Sequence, residues 1–454
     1  MTNFRWDPEL IARYNINGPR YTSYPTALAL SSPFAHERVI SALAADDRTL
    51  SVYIHLPFCH KLCYYCGCNK VITRHQGKAD TYLDALENEM KLYQPLLKTR
   101  KLGPLHLGGG TPTFLTEEQL TRLMDMLKTY LGLVADGEHE ISIEIDPRSC
   151  SLEKLKHLRT LGFNRVSYGV QDFDSTVQIA INRVQDDEMI ETLVRKSREY
   201  GFDSINLDLI YGLPHQHPES FQRSLDKVVE LNPDRISLFS YAHLPARFAA
   251  QRKLDKGALP SPEMKLQLLE MGIRTFTAAG YQFIGMDHFA RADDELAKKQ
   301  REGKLQRNFQ GYTTHGSDAL LGLGVSSISQ INGVIWQNEK DLPDYYQAIA
   351  GNQLPVVKGV SLTHDDQIRA DLIAEVICHF RVDIKQFESK WSLTFTDYFA
   401  DSFPRLAPFT IDGLVSLTDN ELVVTDLGRL WVRSICSTFD AYLLDGQQSY
   451  SKVV

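Results

Sequence analysis

The chain has 454 residues, 43% hydrophobic and 23% charged, with 49 Lys+Arg against 57 Asp+Glu for a formal net charge of −8. This profile fits a folded globular protein of two or three domains and excludes disordered, collagen-like and membrane-embedded classes. The acidic balance argues against a dominant nucleic-acid role, which wants a basic face. The opening residues carry charge from Arg5 and have no apolar secretory core, and no run approaches the ~18 apolar residues of a membrane span. The expectation is a cytoplasmic protein with reduced thiols.

Residues 1–50 mix aromatics with Arg20 and lack regular periodicity, so they are read as an N-terminal segment folding over an open site. From 51 to 354 the reading is one α/β domain. Strands are expected at 50–56, 104–107, 139–146, 165–170, 204–211 and 234–241, with helices between them. In the first helix Leu83, Leu86, Met90, Tyr93 and Leu97 form one apolar stripe. Thr116 with Gln119 fits a capping box, and Ser261-Pro262 places a cap before Pro at the first helical position. Further helices are expected around 151–161, 186–200 and 218–231.

Six β-then-α units in succession imply a parallel sheet. Gly108-Gly109-Gly110-Thr111, Glu144, Asp146, Gln171, Asp208 and Ser240 all fall at or near strand C-terminal ends. Chemistry spread over many strand ends is the barrel pattern, whereas a dinucleotide-binding sheet gathers it at one switch point. The expected fold is therefore a partial (β/α)6 barrel. From 355 to 454 the texture changes to a small, mainly helical, winged-helix-like domain, with Thr363 capping a helix and a hairpin near 414–425. From 361 onward there are 14 acidic and 8 basic residues. That balance disfavours DNA binding and suits a lid or docking role.

Seven cysteines are present, four of them within ten residues as Cys59, Cys63, Cys66 and Cys68. The cluster follows the first strand, in a loop at the mouth. Structural zinc usually takes two knuckles some distance apart. Iron–sulfur runs space their thiolates closely, and three ligands on a four-iron cluster leave one iron open. Iron–sulfur, zinc and unliganded thiols all remain open on spacing alone. Cys150, Cys378 and Cys436 are read as buried packing residues.

Cys59-x3-Cys63-x2-Cys66 resembles the cluster motif of the radical S-adenosylmethionine (SAM) superfamily. With Cys68, with Pro19-Arg-Tyr-Thr-Ser-Tyr-Pro-Thr-Ala27 and with Gly285-Met-Asp-His-Phe-Ala-Arg291, the whole chain is similar to the oxygen-independent coproporphyrinogen III oxidase family. The resemblance implies a partial barrel of the radical SAM type carrying a [4Fe–4S] cluster on Cys59, Cys63 and Cys66. It implies one SAM met by Tyr53, Tyr65, Gly109, Glu144 and Ile328. A second SAM is implied near Gly110, Thr111, Gln171, Arg183, Asp208 and Ala242. Arg183 would meet a carboxylate in bidentate fashion and Asp208 ribose hydroxyls. Tyr53, His55, Glu144 and Cys68 are the catalytic candidates. Cys68 is open between a thiol near the substrate, a fourth ligand and a supporting contact, and His55 between the site and the barrel interior.

The activity implied is oxidative decarboxylation of two propionates of coproporphyrinogen III to vinyl groups, with the 5′-deoxyadenosyl radical taking the propionate β-hydrogen. Arg20, Arg183 and the basic residues of 291–307 are candidates for holding the propionates. The implied partners are this substrate and a separate electron donor, with no nucleic acid, no membrane and a monomeric state. Two other readings stay open, a radical-SAM-like haem chaperone and a zinc-stabilised binding protein.

Overall fold

A computed structural model describes residues 7–15, 18–97, 102–134, 139–316 and 319–443. They pack as two compact units. One comprises Met1–Ala29, Ile273–Gly316 and Leu362–Val454, the other Leu30–Gly272 and Ser317–Ser361. The reading from sequence divides the chain at 50 and 354. In the structure the first 29 residues and 273–316 group with the C-terminal stretch, and 30–50 group with the sheet.

The second unit is built on parallel strands β1 (Leu50–Leu56), β2 (Leu102–Gly109), β3 (Ile141–Ile145), β4 (Arg165–Gln171), β5 (Ser204–Tyr211) and β6 (Arg235–Ser240). All six were expected, within a few residues. Between them run α1 (Gly77–Leu97), α2 (Glu117–Leu131), α3 (Leu152–Thr160), α4 (Asp187–Glu199) and α5 (Pro218–Leu231). β1 is buried almost end to end, while β3 and β4 alternate between buried and partly exposed positions, one face packed and the other turned to the cleft. Local chemistry starts and stops the helices. The Thr116–Gln119 capping box opens α2 and Gly132, at φ 69°, closes it. Pro218 occupies the first turn of α5.

Strands β1 to β6 lie side by side in chain order, so all six C-terminal ends share one edge of the sheet. On the other side of β1 the sheet continues through β7 (Ala319–Leu323), which is parallel to β1, and then antiparallel through β8 (Ile328–Ile331), β9 (Val334–Asn338) and β10 (Val356–Ser361). This extension was not anticipated. Its sequence signal is Asn332-Gly333 between apolar residues, the two-residue hairpin turn in which both positions take positive φ, here 44° and 72°.

The first unit holds helix Pro8–Tyr14, the antiparallel pairs Tyr281–Gly285/His288–Arg291 and Gln306–Asn308/Gly311–Thr313, and the C-terminal helices. Helix Pro8–Tyr14 departs from the expected irregular N-terminus. Asp7 caps it by accepting from the Glu9 and Leu10 amides, with Pro at the first turn. Thr363 and Asp366 form a capping box on helix His364–His379, whose Ile368, Leu372, Ile373 and Val376 are buried. The expected hairpin is strands Val415–Leu417 and Glu421–Val424, joined by a third, Arg381–Asp383, that went unforeseen. Residues 387–399 break into two helices because Ser392 turns left-handed at φ 54°. Among the described residues no helix is long and apolar enough to cross a membrane.

Candidate functional site

The register of the parallel strands assembles a polar ladder across the sheet. Tyr53 lies opposite His106, and His106 opposite Ser142. Glu144 faces Ser167, and Asp208 lies between Gly169 and Ser237. Within β3 the isoleucines at 141, 143 and 145 are buried while Ser142 and Glu144 point the other way. At the strand ends this polar face opens into a cleft. Cys59, Cys63, Cys66 and Cys68 line it with Tyr65, Gly109, Gly110, Thr111, Glu144, Gln171, Arg183 and Asp208. One cavity thus gathers most of the residues expected from sequence.

The cysteine loop is held by backbone and by charge. Gly110 N–H donates to the Leu56 carbonyl at 2.8 Å, and a Cβ on Gly110 would sit 2.6 Å from the Pro57 carbonyl, so only glycine allows this approach. Gly109 is doubly constrained. Its φ is 113°, and a Cβ would meet the His55 ring at 2.8 Å. The Thr111 hydroxyl donates to Cys59 Sγ at 3.3 Å, and Arg148 Nη2 and Arg183 Nη1 donate to Cys63 Sγ at 3.5 and 3.4 Å. The Lys70 ammonium bonds the carbonyls of Cys66 and Cys68.

Burial pushes the Cys59 thiol up to about 11. Cys66 and Cys68 lie side by side. The hydrogen bond between them, aided by Lys70, pulls the Cys66 thiol down to about 6 and pushes Cys68 up. The shared bond favours the thiolate, the form that binds metal, at Cys66 over Cys68.

An iron–sulfur cluster needs anionic sulfur donors, and hydrogen bonds to those sulfurs tune it. Cys59 and Cys63 receive such bonds from the cleft wall, and Cys63 sits against two guanidinium groups, so the donor set fits. A zinc clip would need its donors about 2.3 Å from one point. Among the described residues no three His, Cys, Asp or Glu side chains are drawn together into a single-ion site.

The wall beside the thiols is an ordered hydrogen-bond system. His55 Nε2 contacts the Asn69 carbonyl at 3.0 Å, which can only accept, so Nε2 carries the proton and Nδ1 accepts from the Tyr53 hydroxyl at 3.1 Å. Burial lowers the His55 imidazole below its ordinary value and keeps it neutral. The Tyr53 ring stacks on His106, whose Nε2 reaches Glu144 Oε1 at 3.4 Å. The Glu144 side chain is 47% exposed, and its other oxygen accepts from Gly109 N–H at 3.3 Å. Asp208 accepts from Ser167 and Asn206, and burial first, then the Glu144 charge, raise its carboxyl to about 6.

Asp146 bonds Arg148 at 2.6 Å and Arg183 at 3.2 Å. Burial alone would raise its carboxyl, but the two arginines outweigh burial and hold it below the ordinary range. Arg183 also gives Nε and Nη2 to the Gly169 carbonyl. Four of its five N–H groups are thereby committed, so a bidentate grip on a ligand carboxylate requires one of these bonds to break.

Sequence reasoning missed His106, Lys70 and Arg148. The first was legible as the polar position between Leu105 and Leu107 on a buried strand, and the last as a cation two residues after Asp146. Tyr53, His55, Ala242, just past β6, and Ile328, at the start of β8, are not among the residues that line this cavity. Arg20 lies in the first unit, where its guanidinium pairs with Asp287. Arg433 there donates to the Gly18 and Pro19 carbonyls, fixing the residues just before Arg20. Cys150, Cys378 and Cys436 are buried, as expected.

Fold and cleft together are those of a radical SAM protein, and the Radical SAM superfamily pattern matches residues 53–228, with the HemN C-terminal domain pattern at 362–431. The chain is 54% identical over 452 residues to the oxygen-independent coproporphyrinogen III oxidase of Escherichia coli K12, covering 99% of this chain and 98% of that one. It is 47% identical over 459 residues, all of both chains, to the enzyme of the same name from Pseudomonas aeruginosa. The solved structure of E. coli coproporphyrinogen III oxidase (HemN), described as a radical SAM enzyme, superposes with a TM-score of 0.93 at 53% identity. It covers 97% of this chain and 99% of that one. The chain belongs to the oxygen-independent coproporphyrinogen III oxidase family. Its cofactors are accordingly a [4Fe–4S] cluster and SAM.

Proposed function

We propose that this chain converts coproporphyrinogen III to protoporphyrinogen IX by oxidative decarboxylation of two propionate side chains, in oxygen-independent haem biosynthesis. The observation that carries the reading is the likeness to the E. coli oxidase from end to end, 54% over 452 residues. The cysteine loop and its sulfur hydrogen bonds in a single cleft support it. When bound, cluster and SAM supply a 5′-deoxyadenosyl radical that takes a propionate β-hydrogen, after which CO2 and one electron leave and a vinyl group remains.

In this reading Cys59, Cys63 and Cys66 would hold the cluster, with Cys68 beside them in the same cleft. Thr111, Arg148 and Arg183 steady the sulfurs by donating to them. Backbone at Gly109 and Gly110 lets a ligand approach where a Cβ would stand in the way. The Glu144 carboxylate, fixed by Gly109 N–H and His106, receives the amino group of SAM. Tyr53 is oriented by its bond to neutral His55, and its ring with Tyr65 bounds the adenosyl group. A second SAM near Gly110, Thr111, Gln171 and Asp208 belongs to the same proposal, with Asp208 accepting from ribose hydroxyls. Ala242, Ile328 and Arg20 are retained as contacts on family likeness alone, Arg20 for a propionate.

The enzyme is read as a cytoplasmic monomer served by a separate electron donor, in keeping with seven cysteines that are all free. The test is anaerobic incubation of the iron-loaded protein with coproporphyrinogen III, SAM and dithionite. Two CO2 per substrate and protoporphyrin after oxidation are expected. Substrate recovered intact beside cleaved SAM would overturn the assignment.

A further inference from the structure

Residues 57–79 carry the four clustered cysteines and hold Lys61, Lys70, Arg74 and Lys78 without one Asp or Glu, in a chain whose net charge is −8. Within this stretch strand Phe58–Cys59 pairs in parallel with Val71–Ile72, placing Cys59 directly opposite Ile72. Neighbouring strands lie about 4.8 Å apart. One backbone spacing therefore separates a cluster ligand from Ile72, an apolar side chain that is 42% exposed. His60, Lys61, Arg74, His75 and Lys78 are exposed on the same short stretch. Among the described residues Lys61, Arg74 and Lys78 form no ion pair. The next carboxylate along the chain, Asp80, is engaged by Gln119.

Ile72 is thus an exposed apolar point with unpaired cations close to it along the chain, at Arg74 and Lys78, and across the strand pair at Lys61, which also lines the cleft. An apolar point among cations is the anatomy of a transient protein interface whose charges set partner choice and encounter rate. The radical SAM chemistry on which this inference rests consumes one electron for each SAM cleaved, and that electron must enter near the thiolates because electron transfer falls steeply with distance. We propose that the face formed by Ile72, Lys61, Arg74 and Lys78 is the dock for a small acidic one-electron carrier protein of the flavin or iron–sulfur class. The carrier is oxidised by one electron, a flavin hydroquinone passing to its semiquinone, and the cluster is reduced by one. No atom is transferred.

Arg74 and Lys78 lie off the cleft wall, so the double variant Arg74→Glu/Lys78→Glu separates docking from catalysis. The probes are photoreduced flavodoxin and a reduced acidic ferredoxin, with binding to the iron-loaded protein measured by calorimetry at low and raised salt. Wild type is expected to bind at least one probe, about tenfold or more weaker at raised salt. The double variant should lose about tenfold in binding and in carrier-driven turnover, while dithionite-driven turnover stays within about twofold of wild type. The proposal is overturned if wild type binds neither carrier at low salt, or if the double variant binds and turns over with the carrier as wild type does. Failure of dithionite-driven turnover in wild type would instead remove the assigned reaction, so the two failures are told apart.

Discussion

Replacing Glu89 by glutamine removes a carboxylate from a place that solvent does not reach. Glu89 lies on α1 and is fully buried. Its oxygens accept from Gly324 N–H at 2.8 Å, the Tyr345 hydroxyl at 2.7 Å and Asn338 Nδ2 at 2.7 Å. Burial raises its carboxyl from 4.5 to about 7 despite these three donors. At about 1.36 kcal/mol per pH unit, ionising Glu89 inside the fold costs about 3 kcal/mol. Below pH 4.5 the group is protonated in both states and nothing is lost. As pH rises the unfolded chain releases its proton first, so stability falls between pH 4.5 and 7 and then levels off.

Wild type should therefore lose about 2–3 kcal/mol of stability from this group between pH 5 and 8. Glu89→Gln should lose none of it. The glutamine oxygen keeps Gly324 and Tyr345, and its amide can meet Asn338 Oδ1, which is buried without a hydrogen-bond partner, once that amide turns over and gives up the bond from Asn338 Nδ2 to the Gly324 carbonyl. Urea unfolding of the reduced, metal-free chain at pH 5, 6, 7 and 8 reads the difference between the two proteins. Parallel stability profiles for variant and wild type would refute the reasoning. The stakes reach the cleft, because neighbouring Tyr82 donates to the His55 carbonyl and accepts from Val325 N–H.

Cys59→Ala is expected to abolish iron and sulfide binding and Cys68→Ala to retain both, as read by metal and sulfide content of anaerobically prepared protein. Asp208, raised to about 6, is ionised at pH 8 and neutral at pH 5. SAM binding by calorimetry should accordingly weaken as pH falls through 6, and Asp208→Asn should flatten that dependence. Arg433→Ala strands the buried Gly18 and Pro19 carbonyls at roughly 1–3 kcal/mol each, and should speed limited proteolysis near residue 18 before the cleft residues respond.

Much of this architecture is written in local pattern. The isoleucine alternation of β3, the Thr116 and Thr363 caps and the apolar stripe of α1 each point to an element that exists, because strand and helix periods and end chemistry are short-range properties. The cysteine spacing gave the cofactor loop for the same reason. What escaped depends on contacts far apart in sequence. Nothing near Glu89 announces Gly324, nothing near Cys63 announces Arg148, and the commitment of the Arg183 donors to Gly169 and Asp146 follows only from the register of β3 against β4. The β8–β9 hairpin and helix Pro8–Tyr14 were legible in Asn332-Gly333 and Asp7-Pro8, where turn and cap chemistry was overlooked in favour of periodicity.

β1 is completed on one side by β7, whose first residue, Ala319, comes 263 positions after Leu56. At a ribosomal pace of about 5–20 residues per second, the nascent chain carries that strand with one flank unsatisfied for roughly 10–50 seconds. An open flank of this kind templates mispairing between neighbouring polypeptides, and here it lies beside a loop of four thiols. Slow translation of the region before residue 319, or a shortage of holding chaperones, will therefore be felt first as aggregation of unfinished protein rather than as a defect in the finished enzyme.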